Sequence, residues 1–248
     1  MSAVRRAWAV RFGRTVALLG PDGAGKSTVS RLLEEPGTLP CPVKVIYMGV
    51  NPDVASLMLP TTRLARALRR AIARRQKTRH SHQAGPAAGE RQGSLRTGMR
   101  PTALGVAKDA ARLGTWVLEE WYRQSVAWLY LARGYLVVYD RHFVADYHHT
   151  GRSPDTPTMA RVHGWLLRRA FPRPALLVCL DAPAAVVYAR KREDSVEWLE
   201  QRRADYLQLA ASTPGAAVVD ATAPVPEVVA AVASVICTHL PMCGTGGR

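Results

Sequence analysis

The nine residues Gly20-Pro21-Asp22-Gly23-Ala24-Gly25-Lys26-Ser27-Thr28 constrain this chain more than any other stretch. They have the form G-x-x-x-x-G-K-[ST]. They follow a short apolar run, Thr15–Leu19, and lead into a helix-like segment, Thr28–Glu34. Strand, glycine-rich turn and helix start are the setting in which this motif binds phosphate. Glycines let the backbone curl so that several N–H groups face one anion, and the helix N-terminus adds its positive end. The nucleotide-contacting set is therefore Gly20, Asp22, Gly23, Ala24, Gly25, Lys26, Ser27 and Thr28. Lys26 is placed to reach the β- and γ-phosphates and Ser27 to bind Mg²⁺.

Downstream, apolar runs alternate with helical patterns. Val43–Met48, Tyr135–Tyr139, Ala175–Leu180 and Ala216–Val219 read as strands, the middle two nearly continuous in apolar residues, as buried parallel strands are. Helices are expected at about 26–35, 102–133, 158–170, 181–194, 196–211 and 226–237. Gly105 and Gly114 are candidate interruptions of the long helix, and Trp116, Trp121 and Trp128 are read as its core face. Asp181 is placed to cap the helix that follows it, with Pro183 in the first turn. Five strand–helix alternations argue for an α/β fold with a parallel sheet and helices on both faces. Ligands bind such sheets beyond the carboxyl ends of the strands, where Asp22, Asn51, Asp140, Asp181 and Asp220 all fall.

The net charge is +15, and it is unevenly spread. Residues 61–100 hold eleven Lys and Arg against one acid, Glu90. Within them, 61–76 reads as a basic amphipathic helix and 77–101 as a flexible Gly- and Pro-containing loop, together a basic insertion over 61–101. Residues 1–13 read as a basic arm, 14–240 as one domain, and 241–248 as a disordered tail. The N-terminus lacks a continuous apolar stretch of the signal-peptide kind. Cys41, Cys179, Cys237 and Cys243 show no C-x-x-C spacing. A cytoplasmic, reduced protein is expected.

These residues resemble the thymidylate kinases among the P-loop nucleoside monophosphate kinases, over about 60% of the chain. The likeness is carried in order by Gly20–Thr28 with its acidic Asp22; by Asp140-Arg141-His142 closing an apolar strand; by Leu176–Pro183 running into Arg190-Lys191-Arg192-Glu193; and by Tyr206–Ala210 followed by Val218-Val219-Asp220-Ala221. The resemblance implies a P-loop kinase three-layer sandwich, a five-stranded parallel sheet in order 2-3-1-4-5, and a small lid at about 188–197. It implies ATP and Mg²⁺ as cofactors, lid cations at Arg190 and Arg192, and an adenine-bordering loop at Asp220 and Ala221. One block departs. The family's Arg-Glu-Pro-Gly motif follows the second strand, where this chain reads Tyr47-Met48-Gly49-Val50-Asn51-Pro52.

The expected chemistry is phosphoryl transfer from ATP to a small-molecule acceptor, a nucleoside monophosphate by resemblance. Lys26, Asp140, Arg141, Arg190 and Arg192 are the expected catalytic residues, and Ser27 and Asp140 the expected metal ligands. Arg141 suits a bidentate grip on an acceptor phosphate, with an ion pair to Asp140 or a helix end as its structural alternative. The competing readings are a kinase of the same fold acting on a hydroxyl, where Asp22 or Asp140 would take the proton, and a nucleotide-binding module touching nucleic acid or anionic membrane through 61–100. A homodimer is left open. His142 is read as standing where the family has an aromatic, and Asp146-Tyr147-His148-His149 as a loop rather than a metal site.

Overall fold

In the computed structural model, residues 14–49, 103–143, 158–192 and 194–240 are described. The basic arm, the whole of the 61–101 insertion, the His148-His149 loop and the tail lie outside them. The chain divides into two compact units. One comprises Met1–Leu57 and Arg123–Arg248, the other Met58–Tyr122.

The first unit is built on β1 (Thr15–Leu19), α1 (Lys26–Leu33), β2 (Val43–Met48), the end of α2 (Ala103–Ala132), β3 (Leu136–His142), α3 (Thr158–Ala170), β4 (Leu176–Asp181), α4 (Ala184–Arg190), α5 (Val196–Ala211), β5 (Ala217–Asp220) and α6 (Val225–His239). All five strands are parallel, in the order β2-β3-β1-β4-β5. Every residue of β1 is buried, so the sheet is covered on both faces there. On one face Val16, Leu18, Val138 and Val178 pack with Val29 and Leu33 of α1 and with Val232 and Ile236 of α6. On the other, the Tyr139 hydroxyl accepts a hydrogen bond from the Gln124 amide of α2 at 3.5 Å. Burial raises the Tyr139 hydroxyl pKa to about 12.

Four local expectations are corrected. Helix α2 runs unbroken through Gly105 and Gly114. Its buried stripe is polar, with Glu120, Arg123 and Gln124 ahead of Ala127 and Leu131. Trp121 and Trp128 are only half-buried because they lie off that stripe, and Trp116, one turn before the stripe begins, is 41% exposed. Asp181 does not cap α4. It ends β4, where its carboxylate accepts from Arg203 Nε at 2.6 Å and Nη2 at 2.9 Å, and Pro183 takes the cap position without a side-chain bond. A planar guanidinium satisfies both carboxylate oxygens at once, which a helix amide cannot. Finally, β3 is longer than its apolar run. Asp140, Arg141 and His142 belong to the strand.

Candidate nucleotide site

The loop between β1 and α1 is shaped by three left-handed glycines, Gly20 (φ 139°), Gly23 (φ 98°) and Gly25 (φ 92°). Ala24 N donates to the Pro21 carbonyl at 3.1 Å, and Gly25 O accepts from Thr28 N and Val29 N to start the helix. Among the described residues, the amides of Gly23, Gly25, Lys26 and Ser27 find no acceptor. Those of Gly25, Lys26 and Ser27 are orphan donors of the helix N-terminus and that of Gly23 belongs to the loop; all four residues line a cavity of about 450 Å³. That volume suits a small-molecule ligand. Thr28 lines it as well, and Arg141, Arg190, Lys191 and Ala221 complete its polar end.

Lys26 is buried within the loop. Its ammonium donates to Gly20 O at 2.6 Å and Pro21 O at 2.8 Å, and stands 3.4 Å from Asp22 Oδ1. Burial lowers its pKa to about 8, with the nearby Asp22 carboxylate opposing the shift. Burial raises the Asp22 carboxyl, but Lys26 and Arg141 outweigh it and hold the group below its ordinary value.

Ser27 Oγ donates to Asp140 Oδ2 at 2.7 Å, joining α1 to β3. The other carboxylate oxygen, Asp140 Oδ1, is buried and has no hydrogen-bond partner among the described residues. A hydroxyl and an underused carboxylate at adjoining positions form a hard oxygen donor set. It fits Mg²⁺, which is held through one or two carboxylates together with substrate phosphates.

Arg141 adopts φ 59°, the only described non-glycine residue in the left-handed region. The register with β2 slips there: Tyr47 pairs with Asp140 and Met48 with His142. Arg141 is thus the extra residue of a bulge, a device that re-aims a side chain at a strand end. Its guanidinium meets Asp22 Oδ1 at 2.6 Å, so its partner is neither Asp140 nor a helix end. His142 is fully buried against Tyr139 and Phe143, with ring centroids 5.2 and 4.1 Å away. Burial lowers its pKa to about 3, so it stays neutral and packs as an aromatic.

The expected lid residues divide. Arg190 ends α4, lines the cavity and donates to the Ala221 carbonyl at 3.0 Å. Arg192 is exposed in the turn beyond and is not among the cavity's lining residues. Asp220 is likewise outside the lining and exposed. Its carboxylate accepts from Thr222 N at 2.8 Å, which shapes the turn that presents Ala221. Five lining residues were not foreseen from sequence: Lys191, and the apolar Val29, Ala223, Val225 and Val228. Lys191 lay within the quoted basic run; Val228 carries no local signal. No protein-family model matches the chain.

Proposed function

We propose that the protein is a P-loop kinase resembling the thymidylate kinases, transferring the γ-phosphoryl group of ATP to a small-molecule acceptor such as a nucleoside monophosphate. The observation that carries this reading is the set of four acceptor-free amides lining the cavity beside Lys26. Such a set binds polyphosphate, and phosphoryl transfer depends on positioning and charge neutralisation more than on covalent chemistry.

The loop amides would hold the nucleotide's phosphates, and Lys26 would leave the Gly20 and Pro21 carbonyls to bond them. Ser27 and Asp140 would hold Mg²⁺, which when bound neutralises charge on the phosphate oxygens. Arg190 and Lys191 add cations at the cavity's far wall. An acceptor oxygen forms the new bond to the γ-phosphorus, the bond to the β,γ-bridging oxygen breaks, and its electron pair leaves with ADP.

The hydroxyl-acceptor reading has one observation in its favour. Tyr47-Met48-Gly49 stands where the resembled family begins its Arg-Glu-Pro-Gly block. A hydroxyl must lose its proton, and Asp22, held ionised by two cations, is a weak base for that task. The test is a thermal-shift titration with a non-hydrolysable ATP analogue and Mg²⁺. The melting temperature should rise with analogue concentration and the rise should vanish in Lys26→Met. An unchanged melting temperature in the natural chain at millimolar analogue would refute ATP as the ligand.

A further inference from the structure

The outer face of α3 carries charge of one sign around a single large aromatic. Arg161, Trp165, Arg168 and Arg169 recur at helical spacings of four, three and one, so they share one side of the helix, with Val162 at its margin. All five are exposed, Trp165 to 54% and Val162 to 39%. The opposite side pins the helix to the body, where His163 and Leu167 are buried. Residues 158–173 add one further exposed arginine, Arg173, and contain no Asp or Glu.

Among the described residues, none of these four arginines makes a hydrogen bond or an ion pair. The Arg169 guanidinium carbon lies 6.0 Å from the Trp165 ring centroid. Stacking of that kind engages the face of a guanidinium and leaves its edge N–H groups for an acceptor. A merely solvated helix face mixes its charges. α5 does so: Glu197 and Glu200 stand beside Arg202 and Arg203, and Arg203 is paired with Glu200 and Asp181. On α3 the arginines repel one another with nothing to offset them, and an exposed indole is added at their centre.

A partner for this face must be anionic and must also accept the indole. A second copy fails the first requirement, since a two-fold contact places the same patch on both sides and sets arginine against arginine. Single-stranded nucleic acid is gripped in a basic groove, with successive bases stacked on several aromatics. α3 offers one tryptophan on a convex face. The headgroup layer of an anionic bilayer meets both requirements. Tryptophan rings settle at the boundary between headgroups and acyl chains, and arginine stems lie along apolar surface while their heads reach the anions.

We propose that α3 docks this protein on anionic lipid bilayers, with Trp165 and Val162 entering the headgroup layer and Arg161, Arg168 and Arg169 paired with lipid anions. The contact is peripheral and needs no spanning helix. It is independent of the nucleotide reading, because none of these residues lines the candidate nucleotide cavity.

The test is co-sedimentation of the full chain with vesicles of phosphatidylcholine containing about one-third phosphatidylserine, at physiological salt. The natural chain should bind these vesicles and not pure phosphatidylcholine. An arginine at such a surface is worth about fivefold in partitioning, so Arg168→Gln/Arg169→Gln should weaken binding about tenfold or more. Arg31→Gln/Arg133→Gln removes the same net charge from exposed sites elsewhere and should weaken it far less. Brominated lipid should quench tryptophan fluorescence in the natural chain, and less so in Trp165→Phe. All these positions are exposed, and circular dichroism should show each variant folded. No binding by the natural chain, equal loss in the two double variants, or quenching unchanged in Trp165→Phe would overturn the proposal. So would an α3-dependent affinity for a single-stranded oligonucleotide in the absence of vesicle binding, which would assign the face to nucleic acid.

Discussion

Gly20 and Lys26 are the residues at which substitution is most informative. A Cβ built on Gly20 would stand 2.6 Å from the Leu180 carbonyl oxygen, and φ 139° is closed to L side chains. Gly20→Ala should therefore shift the loop as well as lower stability. The expected result is a loss of ATP-analogue affinity together with a lower melting temperature, measured in parallel by calorimetry and circular dichroism. Lys26 yields a pH prediction. Its pKa is about 8 in the folded chain against an ordinary 10.5. Between those values the unfolded chain binds more protons, so this site's contribution to stability increases as pH rises from about 8 to 10.5. Phosphate favours the charged ammonium. Nucleotide affinity should then be flat below pH 8 and fall as pH rises above it. Lys26→Met should bind weakly at every pH and lose that dependence. A natural-chain affinity that stays level from pH 7 to pH 10 would count against Lys26 as the phosphate contact.

At the level of elements, the strand ends do the positioning, and here sequence was least informative. The glycine loop was legible because its residue types follow from backbone conformation. The apolar runs gave β2 and α5 to the residue, since burial on a sheet or helix face fixes their periodicity. The bulge at Arg141 was not legible, because φ 59° at an arginine depends on the slip against Tyr47 and Met48 of a neighbouring strand. Asp181 misled for a related reason. Asp-Ala-Pro reads locally as a cap, whereas its partner Arg203 lies 22 residues on. Since Asp181 and Arg203 join the end of β4 to α5, Asp181→Asn should cost about 1–3 kcal/mol, the worth of charge-assisted hydrogen bonds that are partly buried. A double-mutant cycle with Arg203→Gln, read by urea denaturation, should show the two losses to be strongly non-additive.

For the molecule as a whole, the sheet order β2-β3-β1-β4-β5 puts β1 at the centre, and its carboxyl end launches the loop. β3 and β4 flank it, which brings Asp140 and Arg141 to one side and Leu180 to the other. The core that fixes this arrangement runs from Leu18 and Val178 to Val232 and Ile236. Ile236→Ala should cost about 2–5 kcal/mol by urea denaturation while leaving the loop's lining residues untouched. Among the described residues, no helix is long and apolar enough to cross a membrane. The basic segment 61–100 lies outside the described residues. The most direct test of the kinase reading is transfer of label from γ-labelled ATP, with Mg²⁺, to a panel of phosphorylated and unphosphorylated acceptors, comparing the natural chain with Lys26→Met. The account predicts label on a phosphorylated acceptor and loss of nearly all of it in the folded Lys26→Met variant. Transfer of undiminished rate in that variant, or label confined to unphosphorylated hydroxyl acceptors, would contradict it.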